Sequence, residues 1–385
     1  MSQYDAELRG FKQPRDHILI ASTLLLTGLG LVTLYSSSYA FAERFFHNGL
    51  YFFSRQIILG VAGLVLFFIA SSIKLELLRK LIVYLVIGSI LLCILTFIPV
   101  IGVSRNGASR WIRIGSYTYQ PSELVKLVLP LYLAHIFDKK GDALDSFSKG
   151  ILPPVLMTTL FAFLIYLQNN FSTAMFIALN ALLIFYFAGV RFRYFFSAIV
   201  ILTPISAILI LIKEHRFRRV MSFFFPELDP LGTGYQVRSS LLSISSGGLW
   251  GKGLGQGTRK IASVPEIHSD FIFSAFAEES GYLGILLFVL LFAVFAVRGY
   301  SSALGNEKTF PRLLGLGLVT MIITQAILNV AVVAGALPAT GIPLPFFSAG
   351  GSSLATTLLM AGLIVNISKT RSVPSYAGNT AGAEA

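Results

Sequence analysis

Cysteine is almost absent from this sequence. Of 385 residues, only Cys93 is a cysteine, and it lies inside an apolar run. A single thiol excludes an intrachain disulfide, and with no further cysteines it excludes a thiolate-rich metal site. We therefore interpret Cys93 as a small hydrophobic residue of the core.

Charged residues are also scarce. They make up 12% of the chain, against 55% hydrophobic residues, and the mean hydropathy is +0.76. Soluble domains carry about 25% charged residues, so this composition excludes a soluble domain of the same length. The formal net charge of +12 is interpreted by its position in membrane loops, and no nucleic-acid partner is expected.

Apolar residues form long continuous runs of about 17 to 25 residues, the length that crosses a hydrocarbon core about 30 Å thick. Membrane strands would instead alternate apolar and polar residues over about 10 positions. We predict an all-α polytopic membrane protein with about ten transmembrane helices and one long extracytoplasmic loop. The spans are expected near residues 18–39, 52–73, 81–101, 124–136, 151–167, 171–188, 194–212, 271–297, 313–333 and 353–367.

Basic residues support this count. Run 124–136 is short and interrupted by Pro130 and His135, and omitting it would reverse the orientation of everything that follows. With run 124–136 kept and the amino terminus inside, nearly every short basic loop falls on the cytoplasmic side, as the positive-inside rule requires. The cytoplasmic basic residues are then Arg9, Lys12, Arg15, Lys74, Arg79, Lys80, Lys139, Lys140, Lys149, Arg191, Arg193, Arg298, Lys308, Arg312, Lys369 and Arg371.

The predicted organisation is simple. Segment 1–16 is cytoplasmic, and 17–368 is a single transmembrane domain that includes the outer loop 213–270. Segment 369–385 is a cytoplasmic tail whose Ser, Gly and Ala content predicts disorder. The first apolar run has no small-residue cleavage pattern behind it, so we expect it to be a retained span.

Two outer loops carry basic residues against the topological rule. The loop 102–122 has Arg105, Arg110 and Arg113 and no acid before Glu123, while loop 213–270 has eight Lys and Arg against five acids. Long loops can be translocated despite their charge, so the short loop is more informative. The outer basic residues indicate either a bound anion such as a phosphate group or contact with anionic lipid headgroups.

Within the short loop, Arg110 could hold a phosphate bidentately beside Trp111, although an interfacial anchor has the same composition. The next helix is expected to begin with Ser122 as its cap. Glu123 and Lys126 are three residues apart and would share one helix face. They could form a structural ion pair or contact the substrate directly, because charges inside a span face the bundle interior or an aqueous cavity.

Three further segments combine glycine or polar residues with apolar surroundings. Segment 245–257 resembles a phosphate loop in its glycine content, but Gly253 follows Lys252 where Ser or Thr is needed, so a glycine-rich turn is favoured. Gln325 and Asn329 lie four residues apart, which suggests an interhelical hydrogen bond. Segment 335–353 contains three prolines and cannot be regular helix.

The polar stretch 264–270 ends abruptly at an apolar run, so Asp270 should stand where water meets hydrocarbon. A carboxylate there could be a boundary charge, a helix cap, or a functional acid or base. His268 and Asp270 lack the neighbours that a transition-metal site needs. A divalent cation, Mg²⁺ or Mn²⁺, held by Asp270 and substrate phosphates is an open alternative, and no other cofactor is indicated.

Several segments together resemble the SEDS family (shape, elongation, division and sporulation), and the resemblance covers essentially the whole span region. Their number and their order in the chain make the resemblance specific. The segments are 107–112 (GASRWI), 120–123 (QPSE), 229–236 (DPLGTGYQ), 268–273 (HSDFIF), 277–279 (AEE) and 343–353 (PLPFFSAGGSS).

The resemblance implies a peptidoglycan glycosyltransferase that polymerises lipid II into glycan strands on the outer face of the bacterial cytoplasmic membrane. It implies work with a class B penicillin-binding protein and with other divisome or elongasome membrane proteins. In the family pattern the aspartate of the His-Ser/Thr-Asp-Phe segment is catalytic, which here is Asp270. The sequence of segment 340–346 (TGIPLPF) favours the FtsW division type over the RodA elongation type.

Lipid II already carries a diphosphate leaving group, so its departure needs positive charge or a metal more than a protonating acid. We predict that Asp270 is the general base for the acceptor hydroxyl, with inversion at the anomeric carbon. Arg110 and Lys126 are candidates for diphosphate contact, with Glu123 orienting Lys126. Substrate contact is also assigned to His268 and Ser348.

The sequence departs from the family pattern at two places. Gln168-Asn169-Asn170 stands where Gln-Pro-Asp is common, which questions any role for that acid here, and Ala349 replaces a common tyrosine.

Two other functions use the same residues. A lipid II flippase without chemistry would need no carboxylate at the boundary, and a scaffold that only recruits the synthase would tolerate substitutions of Asp270.

Overall fold

The computed structural model describes residues 15–105, 107–115, 117–141, 144–229, 232–257 and 269–370. Within these residues the chain is a bundle of helices, and each of the ten expected spans coincides with a helix. The bounds are α1 His17–Phe46, α2 Tyr51–Ala70, α3 Leu75–Leu95, β1 Gly102–Arg105, β2 Ala108–Ile114, β3 Tyr117–Tyr119, α4 Pro121–Lys139, a π-helical turn Phe147–Ile151, α5 Leu152–Leu167, α6 Phe171–Phe187, α7 Phe192–Leu211, α8 Glu214–Phe224, a 3₁₀ turn Pro226–Leu228, α9 Thr233–Ser246, α10 Ile272–Leu304, α11 Thr309–Val333 and α12 Gly351–Ser368.

Eight helices in the described part of the chain are long and apolar enough to cross a membrane. The two other expected spans are α6, which is shorter, and α4, which carries Glu123 and Lys126. Run 124–136, which is short and contains Pro130, lies in α4, and α4 is a continuous helix through that proline. The all-α polytopic prediction is confirmed, and the protein is a multi-pass membrane protein.

The centre of the bundle is formed by α4, α11 and α12. In the most apolar window of α11 and α12, 67% and 78% of the residues are buried, whereas none is buried in α7. Helix α4 packs against α11, and Val125, Leu129 and Leu133 on it are fully buried. The charged pair of α4 is therefore placed in the middle of the protein, while α7 is the most peripheral span.

Strands β1, β2 and β3 form a three-stranded antiparallel sheet in the order β1-β2-β3, a loop element that we did not predict. Gly107 and Gly115 take positive φ values of 73° and 60° next to the turns that join the strands. A loop this short escapes the period-2 pattern that identifies longer strands. The sheet lies at the same end of the bundle as helix α8, since Arg110 of β2 contacts Asn169 and Arg216 of α8 contacts Tyr166 and Phe171. We call this the loop end.

The long loop 213–270 contains two helices, α8 and α9, that we did not predict. Helix α8 is strongly amphipathic. Its Arg216 is buried between Tyr166 and Phe171, with the guanidinium 4.8 Å and 5.0 Å from the two ring centres, and donates to the Leu209 carbonyl at 3.0 Å. This cation–π sandwich fixes α8 against α5 and α6.

Segment 335–353 is irregular up to Gly350, as predicted, and only its last three residues enter α12. It returns into the bundle, where Leu344, Phe346 and Phe347 are buried. Gln325 donates to the Pro343 carbonyl at 2.8 Å, so a span side chain satisfies this irregular backbone. Non-helical backbone at membrane depth requires such partners.

Candidate active site

Asp270 lies at the loop end, directly before α10. The N-cap residue of α10 is Phe271, and no side chain caps the helix. The alternative that Asp270 caps this helix is therefore wrong. Asp270 is only partly buried, so its carboxylate can meet a substrate.

The backbone around Asp270 is held by two buried side chains. Asn329 of α11 donates from Nδ2 to the Asp270 carbonyl at 2.9 Å and to the Ile342 carbonyl at 2.8 Å. Ser348 donates to the Ser269 carbonyl at 2.7 Å and accepts from the Leu344 amide. The irregular segment and α11 thus fix the position of Asp270 together. The predicted substrate contact of Ser348 stays a prediction.

The carboxylate itself is also oriented. Ser269 Oγ donates to Asp270 Oδ1 at 3.0 Å. On the other side lies Gly341, with φ +71°, and a Cβ added there would come within 3.3 Å of Asp270 Oδ2. Because an L side chain is disfavoured at this φ and tight at this distance, glycine allows the irregular segment to pass close to the carboxylate.

Arginines from two separate loops face Asp270. The pKa of Arg110 is lowered to about 10, first by burial and then by Arg219 and Arg216, while Asp270 acts in the opposite direction. Desolvation also lowers the pKa of Arg219, and Asp270 again acts in the opposite direction. With a pKa of about 10, the Arg110 guanidinium is charged near neutral pH. One carboxylate therefore faces an excess of positive charge.

These arginines line a cavity of about 410 Å³, which we call the arginine cavity. Within the described residues, Arg110 Nε, Asn170 Nδ2 and Thr340 Oγ1 on its wall are buried and have no hydrogen-bond partner. Buried polar groups of this kind normally have partners, so the cavity wall suits a polar, anionic ligand. Its basic lining is Arg110, Arg216, Arg219 and the imidazole of His215, and its apolar lining includes Phe171, Met175, Phe176, Leu179, Ile210, Leu328 and Leu337.

The predicted pair of Glu123 and Lys126 is confirmed as an ion pair, with Lys126 Nζ 2.8 Å from Glu123 Oε1. Lys126 also donates to Gln325 Oε1 at 3.0 Å, and both charged residues are almost fully buried. Lys126 lies 5.6 Å from the ring centre of Phe176, a residue on the wall of the arginine cavity. Direct diphosphate contact by Lys126 stays a prediction.

Ser122 does not cap α4, as we had expected. The N-cap residue is Gln120, and Pro121 opens the helix. Proline at the first helical position has its φ already set for a helix, and the Glu123 amide donates to the Gln120 carbonyl at 3.0 Å. Gln120 Nε2 instead donates to Ser122 Oγ at 2.9 Å.

The glycine-rich segment completes a break in α10. Gly281 has φ +64° and ψ −165°, so the helix is interrupted after its first nine residues. The amides of Lys252 and Gly253 donate to the carbonyls of Glu278 and Glu279, and the Tyr282 amide donates to Gly248. The segment therefore supplies the hydrogen bonds that the broken helix lacks. We call this arrangement the helix splice.

The helix splice also provides partners for Glu278 and Glu279. Glu278 is fully buried and pairs with Lys252 at 2.7 Å. Glu279 accepts from Ser36 Oγ of α1 at 2.6 Å. The segment thus fixes the half-helix that follows Asp270 and leaves no ground for a phosphate-loop role.

Sequence reasoning missed Arg216 and Arg219 as site residues. Both are in α8 and are three residues apart, which is the spacing of one helix face, but the loop was not recognised as helical.

His268 lies outside the described residues. Within the described residues, no group of three or more His, Cys, Asp or Glu side chains could hold a metal ion. A divalent cation beside Asp270 would depend on substrate oxygens for its remaining ligands.

Comparison with known proteins decides the family. A family model for FtsW, RodA and SpoVE proteins, described as "Cell cycle protein", matches residues 16–373. The chain belongs to the FtsW/RodA/SpoVE family. The predicted SEDS resemblance is thus confirmed, and it covers nearly the whole chain.

Relatives in this family give the enzyme class. The chain is 37% identical to a probable peptidoglycan glycosyltransferase FtsW of Geobacter metallireducens over 92% of this chain and 94% of the relative. It is 35% identical to stage V sporulation protein E of Bacillus subtilis over 93% and 98% of the two chains. The prediction of a SEDS-type peptidoglycan glycosyltransferase, with the FtsW type preferred, is confirmed.

Solved structures of the family share the fold. A chain from "Structural coordination of polymerization and crosslinking by a peptidoglycan synthase complex" has a TM-score of 0.76 at 27% identity, covering 92% of this chain and 97% of that chain. The rod shape determining protein RodA of Thermus thermophilus has a TM-score of 0.66 at 26% identity, covering 93% and 97%. The bundle described above is therefore that of the FtsW/RodA/SpoVE family.

The departure from the family pattern at residues 169 and 170 has a structural context. Asn169 has φ +59° and accepts from Arg110 at its carbonyl, while its side chain donates to Gly107 at 2.7 Å. Proline, fixed near φ −65°, could not adopt that backbone. Asn170 lines the arginine cavity as a neutral amide, so the cavity is more positive than it would be with an acid there.

Proposed function

We propose that this protein polymerises lipid II into glycan strands at the outer face of the cytoplasmic membrane, in septal synthesis during cell division. The observation that carries the proposal is the Asp270 carboxylate, which is held rigidly and faces the guanidinium groups of the arginine cavity. The loop end is then the extracytoplasmic end, and both termini are cytoplasmic.

Asp270 acts as the general base. It takes the proton of the acceptor sugar hydroxyl as that oxygen forms a bond to the anomeric carbon of the donor. The bond from the anomeric carbon to the diphosphate oxygen breaks, its electron pair leaves with the diphosphate, and the configuration inverts. The proton on Asp270 is then released to water. A positioned base typically contributes a factor of about 10² to 10⁴ in rate.

Arg110, Arg216 and Arg219 stabilise the diphosphate as it gains charge. Guanidinium groups suit this task because they stay charged and offer paired donors to phosphate oxygens. Arg216 is already fixed between two aromatic rings, so it loses little freedom on binding. Arg110 and Arg219 come from different loops and approach the leaving group from two sides.

The lipid chain of the donor extends along the apolar wall of the arginine cavity. Met175 and Leu179 of α6, Ile210 of α7 and Leu328 of α11 form this wall. Helix α7 buries none of its residues. A hydrocarbon chain can therefore pass between α6 and α7 from the membrane to the cavity.

We assign a class B penicillin-binding protein as the partner. The related chain with TM-score 0.76 comes from a peptidoglycan synthase complex that coordinates polymerization and crosslinking. Other membrane proteins of the division machinery would join the same assembly. An elongation role of the RodA type, with the same chemistry, is the alternative, and the FtsW names of the relatives favour division.

The test follows lipid II polymerisation by the purified protein with its partner. Asp270→Asn is expected to lose about 10² to 10⁴ of the rate, the range for a removed base. Asp145→Asn, a surface carboxylate paired with Arg191, is the control. Wild-type turnover by Asp270→Asn would refute the assignment. Transport of lipid II without polymer formation by the wild type would instead support the flippase.

The diphosphate assignment has its own matched pair of variants. Arg219→Gln should raise the KM for lipid II, because the charge lines the arginine cavity. Arg218→Gln is the control, because it removes a charge from the preceding position of α8. The Arg218 side chain is exposed and pairs with Glu214 at 2.5 Å. Equal KM values for the two variants would contradict a specific role for Arg219.

A further inference from the structure

We propose that a second cavity, formed by α8, α9 and the start of the irregular segment, binds the peptide-bearing glycan strand as it leaves the active site. This inference rests on the proposed function, because it assigns a place to that reaction's product. We call the cavity the loop cleft. Its volume is about 410 Å³, the same as that of the arginine cavity.

The loop cleft adjoins the arginine cavity. Arg219, Pro338 and Ala339 line both cavities, so they form the wall between them. Two residues further along the chain lies Gly341, where an added Cβ would come within 3.3 Å of Asp270 Oδ2. A saccharide joined at Asp270 could therefore extend past Arg219 into the loop cleft without leaving the protein surface.

The chemistry of the two cavities differs. The arginine cavity is lined by cations and has no Asp or Glu among its described lining residues, and its apolar wall comes from spans α6, α7 and α11. The loop cleft has Glu227 beside Arg219 and Arg238, and its apolar residues come mainly from the loop helices. A carboxylate disfavours a diphosphate but accepts hydrogen bonds from sugar hydroxyl and amide groups.

The remaining lining residues fit the same ligand. Phe223, Val237 and Leu241 offer apolar surface to the faces of sugar rings, and the two arginines against one glutamate leave a positive balance for peptide carboxylates. Arg238 and Glu227 are exposed, so they are accessible to a ligand arriving from outside the bundle. The apolar lining of the arginine cavity comes from the spans α6, α7 and α11, whereas the loop cleft has no described lining residue from α6 or α7.

The chain offers a closely matched pair of variants on α9. Leu241 is 43% exposed and lines the loop cleft, whereas Leu242 is 41% exposed and lines neither cavity. Leu241→Trp would fill the loop cleft, and Leu242→Trp adds the same bulk to the neighbouring position. Thermal unfolding of both variants checks that each is folded.

The first measurement is the length of glycan strands made from lipid II by the protein with its partner synthase. Leu241→Trp should shorten the mean product by about tenfold relative to Leu242→Trp, the effect of about 1.4 kcal/mol of lost strand binding. Arg238→Gln should shorten it in the same direction. Equal lengths for the two tryptophan variants would overturn the proposal.

The second measurement does not depend on catalysis. A fluorescent, lipid-free glycan fragment with its peptide stems is titrated against the Asp270→Asn protein, with and without Leu241→Trp. Binding that is lost only with Leu241→Trp supports the loop cleft, even if no variant polymerises lipid II and the proposed function fails. The proposal is overturned if Leu241→Trp leaves fragment binding intact. It is also overturned if Leu241→Trp abolishes binding of the partner synthase but not of the fragment.

Discussion

At the scale of single residues, Asn329 shows how a buried amide can set the position of a carboxylate. Its Nδ2 group bridges the carbonyls of Asp270 and Ile342, and the side chain is 1% exposed. Asn329→Ala should leave two carbonyls without this donor, at a cost in stability of about 1–3 kcal/mol for each buried group. It should also lower kcat by at least about tenfold, because Asp270 loses a contact that positions it. Initial rates of lipid II polymerisation give the value.

The control for Asn329 is Asn366. Its Nδ2 also bridges two carbonyls, those of Ala70 and Ile73, and it is also buried, but it lies at the opposite end of the bundle. Asn366→Ala should lower the melting temperature by a similar amount while kcat is kept. If kcat fell in proportion to the melting temperature in both variants, Asn329 would have only a structural role.

His215 on the wall of the arginine cavity should make substrate binding depend on pH. Desolvation and then the neighbouring cations, Arg216 and Arg219 first among them, lower its pKa from the ordinary value of 6.5. A bound diphosphate raises that pKa again, so binding takes up a proton. Binding tightens as the pH falls through the bound-state pKa and levels off below the lowered pKa of the free protein. Titration of lipid II against the Asp270→Asn protein at several pH values measures this.

In His215→Gln this tightening should be reduced. The Asp270→Asn background removes the titration of the base itself from the measurement. An identical pH dependence with and without His215 would show that its proton is not linked to the substrate.

Local spacing allowed some site residues to be predicted. Glu123 and Lys126 are close in sequence, and Asp270 stands at a visible boundary between polar and apolar residues, so each could be named from the chain alone. The residues around Asp270 come from distant positions, namely Arg219 of α8, Asn329 of α11 and Gly341. No sequence period connects these positions, and only the packed bundle brings them together.

At the scale of elements, the helix splice depends on glycine at positions where a side chain has no room. Gly251 has φ +77°, and a Cβ there would lie 2.1 Å from the Glu279 carbonyl oxygen. Gly251→Ala should therefore separate the segment from α10 and lower both the melting temperature and kcat. The left-handed conformation alone costs an L residue about 1–2 kcal/mol, and the clash adds to it.

Gly248→Ala separates these two contributions. Gly248 also has a positive φ, of 58°, but a Cβ there meets no atom within 4 Å in the described structure. This variant should show the conformational cost without the clash and keep most of the activity. Equal losses in both variants would mean that the close approach of Gly251 to α10 is unimportant.

The sequence allowed only part of the helix splice to be predicted. The glycine content of 245–257 predicted a turn, and Glu278 and Glu279 stand inside an expected span, where charges need a partner. That these belong together could not be foreseen, because the break in α10 at Gly281 lies inside an apolar run with no proline. The small sheet and the amphipathic helix α8 were missed for a related reason: short elements in a loop leave little periodic pattern.

At the scale of the whole molecule, the bundle follows from hydrophobic length. Every apolar run of span length became a helix, since lipid leaves no other partner for the backbone groups of a single span. Which helices are central did not follow from length, and α4 is the clearest case. Its charges made it the least apolar span, yet it is central because the Glu123–Lys126 pair and Gln325 satisfy one another there.

The orientation of the bundle can be tested because cysteine is so scarce. Replacing buried Cys93 by serine gives a cysteine-free background, into which single cysteines are placed at Ile114 and Glu307. Ile114, in the sheet at the loop end, is 59% exposed, and Glu307 is exposed between α10 and α11. If basic loops are cytoplasmic, a membrane-impermeant maleimide should label Ile114→Cys in intact spheroplasts and label Glu307→Cys only after lysis. The reverse pattern would place Asp270 in the cytoplasm, on the wrong side for extracytoplasmic polymerisation.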